Sequence, residues 1–247
     1  MQILRVTNLS KNFGGIQAIN NVNLSIDKGE IVGLIGPNGA GKTTFFNLLT
    51  GIYTPSSGEI EYDLAQEVKS KDLRLHKIIG FGIARTFQNI RLFQNMSVLD
   101  NVLLGFHSNL IKGLVKKKES LEQAHSLLAK FDLLDKKDEL AKNLSYGDQR
   151  RLEIARALAA NPALLLLDEP AAGMNPKETQ ELKDLIHWIR EAYDLTIILI
   201  EHDMSLVMNI CEKIFVFDYG NLLASGSPAE IQKDEKVIRA YLGEEAV

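Results

Sequence analysis

The stretch Ile31-Val32-Gly33-Leu34-Ile35-Gly36-Pro37-Asn38-Gly39-Ala40-Gly41-Lys42-Thr43-Thr44 decides the fold. Its first five residues are apolar throughout, the pattern of a strand covered on both faces, as in a parallel sheet under helices. The next eight fit G-x-x-x-x-G-K-[ST], and Thr43–Leu49 reads as the helix that should follow. Gly36, Gly39 and Gly41 let the backbone around Asn38, Ala40 and Thr44 turn its N–H groups inward on an anion, and the helix N-terminus adds partial positive charge. The Lys42 ammonium is expected to reach the β- and γ-phosphates of a nucleoside triphosphate, and the Thr43 hydroxyl to hold Mg²⁺. A chance glycine-rich turn would match in roughly one chain in a hundred, but not usually between a buried strand and a helix. A dinucleotide loop fits less well, because no G-x-G-x-x-G stands after a strand.

Ala163–Leu167, Thr196–Ile200 and Ile214–Phe217 repeat the all-apolar strand pattern. The first 30 residues differ: Val22, Leu24 and Ile26 alternate with polar residues, and Leu4, Val6 and Leu9 continue the habit, as in half-buried antiparallel strands. Helical faces are carried by Leu121, Ala124, Leu128 and Phe131, by Leu152, Ala155 and Leu158, and by Leu182, Leu185, Ile186 and Ile189. Asn175 with Pro176 opens the last of these, and Ser227-Pro228-Ala229-Glu230 forms a second start signal. Strands alternating with helices predict an α/β fold with a mainly parallel core sheet, an N-terminal antiparallel β subdomain and an inserted helical subdomain. The expected boundaries are about 1–88 and 160–247 for the α/β core and about 89–160 for the helical insertion.

The 247 residues are 45% hydrophobic, and the formal net charge is −4, which gives no bulk basic field for nucleic acid. No apolar run approaches the roughly 20 residues of a spanning helix, and Met1-Gln2-Ile3-Leu4-Arg5 does not begin a signal peptide. Cys211 is the single cysteine, so no internal disulfide is possible. These features point to the cytoplasm. Lys116-Lys117-Lys118 reads as a solvated helix start, Cys211 as a packing residue, and His76, His107, His125 and His187 as ordinary histidines.

Ala163–Leu167 runs into Asp168-Glu169-Pro170. Two acids at the end of a buried strand stand at the sheet edge where ligands bind. Asp168 suits Mg²⁺, directly or through water. Glu169 is the candidate general base for an attacking water. The plainer alternative is that both acids merely begin a loop that Pro170 turns.

Leu144-Ser145-Tyr146-Gly147-Asp148-Gln149 resembles the signature of ATP-binding-cassette (ABC) proteins. Other segments resemble that family's marks in order. Phe13 is similar to the aromatic that stacks on adenine, Gln88 to the Q-loop glutamine, Ala172-Gly173-Met174-Asn175 to the D-loop, and His202 to the switch histidine. The resemblance implies an ATPase using ATP and Mg²⁺, with Lys42, Gln88, Glu169 and His202 catalytic and Gln88 joining Thr43 and Asp168 at the metal. It also implies that Ser145 and Gly147 cover the ATP of a second cassette, either a copy of this chain or a sister subunit. Tyr146, Asp148 and Asn175 replace a commoner glycine, glutamine and aspartate.

Gly82–Phe93, Glu169–Pro176 and the tail Ala240-Tyr241-Leu242-Gly243 are similar to one branch, the cassettes of branched-chain amino-acid importers. That branch implies two transmembrane permease subunits, an extracytoplasmic binding protein and a peripheral place on the cytoplasmic face of the inner membrane. The segment after Gln88, with Ile90, Leu92 and Phe93, would meet a permease coupling helix; burial within the helical subdomain is the alternative. An importer of urea or short amides, a lipopolysaccharide-type exporter and a non-transport ABC ATPase are the other readings. The last usually carries long coiled coils or two phosphate loops, and the sequence has one loop and no sustained heptads.

Overall fold

A computed structural model of the chain describes residues 1–64, 67–70, 73–74, 77–106 and 117–242. His76, His107, Lys116 and Gly243 lie outside them. In chain order the elements are β1 (Gln2–Phe13), β2 (Ile16–Asp27), β3 (Ile31–Ile35), α1 (Lys42–Leu49), β4 (Ser57–Asp63), β5 (Glu67–Lys69), β6 (Ile83–Arg85), α2 (Val98–Gly105), α3 (Lys117–Lys130), α4 (Tyr146–Leu158), β7 (Leu164–Asp168), α5 (Pro176–Tyr193), β8 (Thr196–Ile200), α6 (Met204–Ile210), β9 (Lys213–Asp218), β10 (Asn221–Gly226), α7 (Pro228–Ile231) and α8 (Glu235–Leu242). Between β6 and β7 the described residues form helices and turns with no strand.

Two sheets form. One is antiparallel, in the order β2-β1-β4-β5; the other runs β10-β9-β3-β8-β7-β6. In the second sheet β9, β3, β8, β7 and β6 are parallel, and only β10 is antiparallel to its neighbour. The all-apolar strands follow from this position. Val32, Leu34, Leu164, Leu166, Ile198 and Ile200 face one core, shared with the antiparallel sheet and Phe45, Phe46 and Leu48 of α1. Their neighbours Ile31, Ile35, Leu165, Leu167, Ile197 and Leu199 face a second core, covered by α2 to α6. Alternate side chains of one strand point to opposite faces, so a strand between two cores has no place for an unpaired polar residue; Thr196, at the start of β8, accepts from the Gly29 amide at 3.0 Å.

The N-terminal strands behave as their alternation predicts, with one irregularity. Leu4, Val6 and Leu9 are all buried although Leu9 is out of step with the other two. Asn8 adopts φ 49° within a register shift between Val6 and Leu9, and this bulge returns Leu9 to the core face. The expected face of α3 is shifted. Ala124, Leu128 and Phe131 are buried, but Leu121 is 39% exposed, and Ser120 and Leu127 complete the inward stripe. Asn175 caps α5 by accepting from the Lys177 and Glu178 amides, each at 3.0 Å, and Glu178 returns the bond to the Asn175 amide.

Leu166 lies in β7, between β8 and β6 of the parallel sheet, with no exposed surface. Leu166→Ala should therefore cost about 2–5 kcal/mol, measured by urea unfolding. A loss below about 1 kcal/mol would be inconsistent with a strand buried on both faces.

Candidate active site

The parallel strands deliver the expected residues to one edge. β3 ends at Ile35 and leads into the phosphate loop, β7 ends at Asp168 before Glu169, and β8 ends at Ile200 before Glu201 and His202. β6 ends at Arg85, three residues before Gln88. Gly36 sits at φ 150°, where an added Cβ would stand 2.1 Å from the Phe217 carbonyl oxygen, so no larger residue fits beside β9. The turn after β9 is tied to the loop, since the Gly220 amide donates to the Ala40 carbonyl at 3.0 Å.

A cavity of about 410 Å³ opens over the loop. Asn38, Gly39, Ala40, Gly41, Lys42, Thr43 and Thr44 line it together with Glu169 and His202. Lys42 is buried, and its ammonium donates to the carbonyl oxygens of Gly36 at 2.7 Å and Pro37 at 3.0 Å. Burial lowers its pKa from the usual lysine value, and the charge of Glu169 opposes that shift.

Glu169 is the meeting point. Its Oε2 accepts from Gln88 Nε2 at 2.7 Å, and its Oε1 lies 2.9 Å from His202 Nε2. Its backbone is left-handed, at φ 47°, and its amide donates to the Ile200 carbonyl at 2.9 Å. A non-glycine residue in that conformation costs about 1–3 kcal/mol, here offset by the fixed turn out of β7. One carboxylate thus faces the phosphate loop while a neutral amide and an imidazole hold its two oxygens. The arrangement suits proton abstraction from a water beside a bound phosphate.

Asp168 is nearly enclosed. Its Oδ2 pairs with Arg85 Nη2 at 2.7 Å, and its amide donates to Thr86 Oγ1 at 3.4 Å. Arg85 also donates from Nη1 to Asn47 Oδ1 at 2.8 Å and Thr50 Oγ1 at 3.2 Å, which joins the acidic strand end to α1. With Oδ2 held by Arg85, a cation would use Oδ1. The available donors are a hydroxyl on Thr43, an amide oxygen on Gln88 and this carboxylate oxygen. All are hard oxygen ligands, which fit Mg²⁺ bound largely through phosphate and water.

Not every expected residue meets at the cavity. Ser145 and Gly147 do not line it. Ser145 caps α4 instead, its Oγ accepting the Asp148 amide at 3.2 Å, and stands exposed to solvent. Gly36, Gln88, Asp168 and Phe13 are also absent from the lining; the Phe13 ring stands edge-on to Tyr53 at 5.0 Å, with Lys11 Nζ 5.0 Å above it. Asp148 is paired with Lys136 Nζ at 2.5 Å. Burial raises its pKa, but hydrogen bonds from Lys136 and Ser145 outweigh that and hold the carboxyl below its usual value.

Several residues at the site were not singled out from the sequence. Arg85 neutralises Asp168. Tyr219 and Gly220 line the cavity mouth, Tyr219 with 84% of its surface exposed. Glu201 is buried and accepts from the Ala171 amide at 2.7 Å and the His202 amide at 3.1 Å, so it ties the backbone just after Glu169 to that of His202. Burial raises the Glu201 pKa against those hydrogen bonds. An acid directly after an apolar strand is the one cue that could have marked it.

Comparisons with known proteins bear on this geometry. A family model described as "ABC transporter" matches residues 19–172, and one described as "branched-chain amino acid ATP-binding cassette transporter" matches residues 221–247. The chain is 48% identical to the high-affinity branched-chain amino acid transport ATP-binding protein LivG of Escherichia coli K12, over 98% of each chain. It is 37% identical to the lipopolysaccharide export system ATP-binding protein LptB of Escherichia coli K12, over 99% of each. Among solved structures, the ADP conformation of the ATP-binding cassette MJ1267 matches with TM-score 0.86 at 31% identity, covering 99% of this chain and 100% of that one. A dimeric, post-hydrolysis cassette MJ0796 bound to ADP and Pi matches with TM-score 0.78 at 29% identity, covering 92% and 99%. A family match through the phosphate loop and the acidic strand, and end-to-end identity near one half with a transport ATP-binding protein, place the chain together: it belongs to the ABC transporter family of ATP-binding cassettes.

Proposed function

We propose that this chain is the ATP-hydrolysing subunit of a membrane importer for branched-chain amino acids. The observation that carries the reading is the convergence of Gln88 and His202 on the two oxygens of Glu169, at the wall of the phosphate-loop cavity. The likeness to LivG and the match of residues 221–247 to the branched-chain family model support the substrate class. The lower identity to the exporter subunit LptB makes export the second reading.

In this mechanism the loop amides and Lys42 bind the β- and γ-phosphates, with Lys42 exchanging loop carbonyls for phosphate oxygens. Mg²⁺, when bound to the nucleotide, neutralises phosphate charge; Thr43, Gln88 and Asp168 would hold it. Glu169 takes a proton from the attacking water as the water's oxygen bonds to the γ-phosphorus and the bond to the ADP oxygen breaks. His202 orients Glu169 and the terminal phosphate. Ser145 and Gly147, on the helical part of about residues 89–160, face a second cassette rather than this chain's own loop. The dimeric cassette with ADP and Pi supports that pairing. ATP then closes two cassettes, and hydrolysis lets them part.

Closure would reach two permease subunits through a groove of about 520 Å³ lined by Ile79, Phe87, Arg91, Phe93, Leu104 and Arg156, among others. Phe93 is 54% exposed there, as a docking residue should be, whereas Leu92 packs against the core. Among the described residues no helix is long and apolar enough to cross a membrane. We place the chain on the cytoplasmic face of the inner membrane through those permeases, with an extracytoplasmic binding protein supplying substrate.

Glu169→Gln should keep ATP affinity within about twofold and lower kcat by at least about 10²-fold, read by nucleotide titration and phosphate release; near-normal turnover removes Glu169 as the base. Lys42→Ala should abolish measurable ATP binding, and an unchanged dissociation constant would refute the phosphate-loop assignment. Phe93→Asp should leave nucleotide binding intact and release the permeases on purification; retained permeases would exclude the groove as the docking surface.

A further inference from the structure

A buried ionic network joins the first turns of α4 to the backbone around Gln88, and the chemistry above makes no use of it. Arg150 is fully enclosed and Glu153, on the next turn, is 1% exposed. The Arg150 guanidinium donates from Nη1 to the Phe87 carbonyl oxygen at 2.7 Å and from Nη2 to the Gln88 carbonyl oxygen at 2.9 Å. Nη1 also meets Glu153 Oε2 at 2.9 Å, and Nη2 donates to the Tyr146 hydroxyl at 3.2 Å. The second oxygen of Glu153 accepts the Arg91 amide at 3.0 Å. Two successive carbonyls and an amide three residues further on are therefore bound to one helix.

Gln88 emerges from this pinned backbone, and its side chain donates to Glu169 at 2.7 Å. Enclosing two charges has a large desolvation cost, and an apolar pair of similar volume often packs at least as well. The Nε atom of Arg150 has no hydrogen-bond partner, so the network does not satisfy its own groups fully. What it does accomplish is directional. The planar guanidinium fork fixes the peptide planes on either side of the Gln88 Cα. Tyr146, which stands where the family more often has glycine, adds its hydroxyl to the same fork.

We propose that Arg150, held by Glu153 and Tyr146, is a positioning residue that aims Gln88 at Glu169. The proposal deepens the ATPase reading and rests on it. Ser145 caps the same helix, so that cap and the backbone of Gln88 are tied to one element. Phe87, Arg91 and Glu153 also line the 520 Å³ groove, so an occupant of the groove acts on the same hydrogen bonds.

The test uses the purified full chain with the permease and cassette subunits that accompany it. Arg150→Lys keeps the charge but loses the fork. It should lower kcat roughly tenfold to a hundredfold, the scale of a small misplacement of a catalytic group, and leave KM for ATP within about twofold. In a Gln88→Ala background the same substitution should add less than about twofold, because its effect runs through Gln88. Equal losses in both backgrounds, or a change in KM alone, overturn the proposal. Tyr146→Phe removes one hydroxyl and should show the same dependence on Gln88 at smaller size. If Arg150→Lys does not fold, this variant decides: dependence supports the proposal, and independence or no effect overturns it. Amide hydrogen exchange over residues 87–91 is a readout apart from turnover. It should accelerate in either variant, and unchanged exchange overturns the proposal even if the ATPase reading stands. A wild-type assembly that binds but never hydrolyses ATP refutes the ATPase reading instead, with the exchange result still deciding the network.

Discussion

Everything at this site depends on central parallel strands with almost wholly apolar side chains, where the buried Thr196 hydroxyl at the start of β8 is bonded to the Gly29 amide. Each central strand is held between two cores, so its first opportunity to present a charge comes where it leaves the sheet. Parallel strands leave on the same edge. The phosphate loop, the acids at 168 and 169, His202 and the segment carrying Gln88 are therefore brought together by the sheet alone. The chemistry is assembled from four separate places in the chain because four strands end side by side.

The local parts of this plan were legible in the sequence. An all-apolar pentad followed by a glycine-rich loop, or by two acids, carries its own structural context, and β3, β7 and β8 appear where those patterns stand. Partners drawn from distant segments were not legible. Nothing near Arg85 says that it will pair with Asp168, since that depends on the three-residue strand β6 lying next to β7. The pairing of Lys136 with Asp148 likewise depends on how the chain before α4 folds back. Helical periodicity misplaced Leu121 because one apolar residue at the right spacing cannot show where the covered stripe ends. The shift of Leu9 required a bulge at Asn8, and a single asparagine in a polar stretch gives no such warning.

The acid in the signature acquires a plain account. A carboxylate at the start of α4 suits the helix dipole but would repel the phosphates of a facing nucleotide. With Lys136 against it, the pair presents little net charge, while Ser145 still caps the helix. The phosphate loop and the capped start of α4 thus do not share one cavity.

The two hydrogen bonds from Lys42 to the carbonyls of Gly36 and Pro37 have a consequence for selectivity. The ammonium is already desolvated and already coordinated, so an incoming anion is judged by whether it outcompetes two peptide oxygens. Any anion that reaches Lys42 must therefore replace at least the hydrogen bonds that those two peptide oxygens already accept.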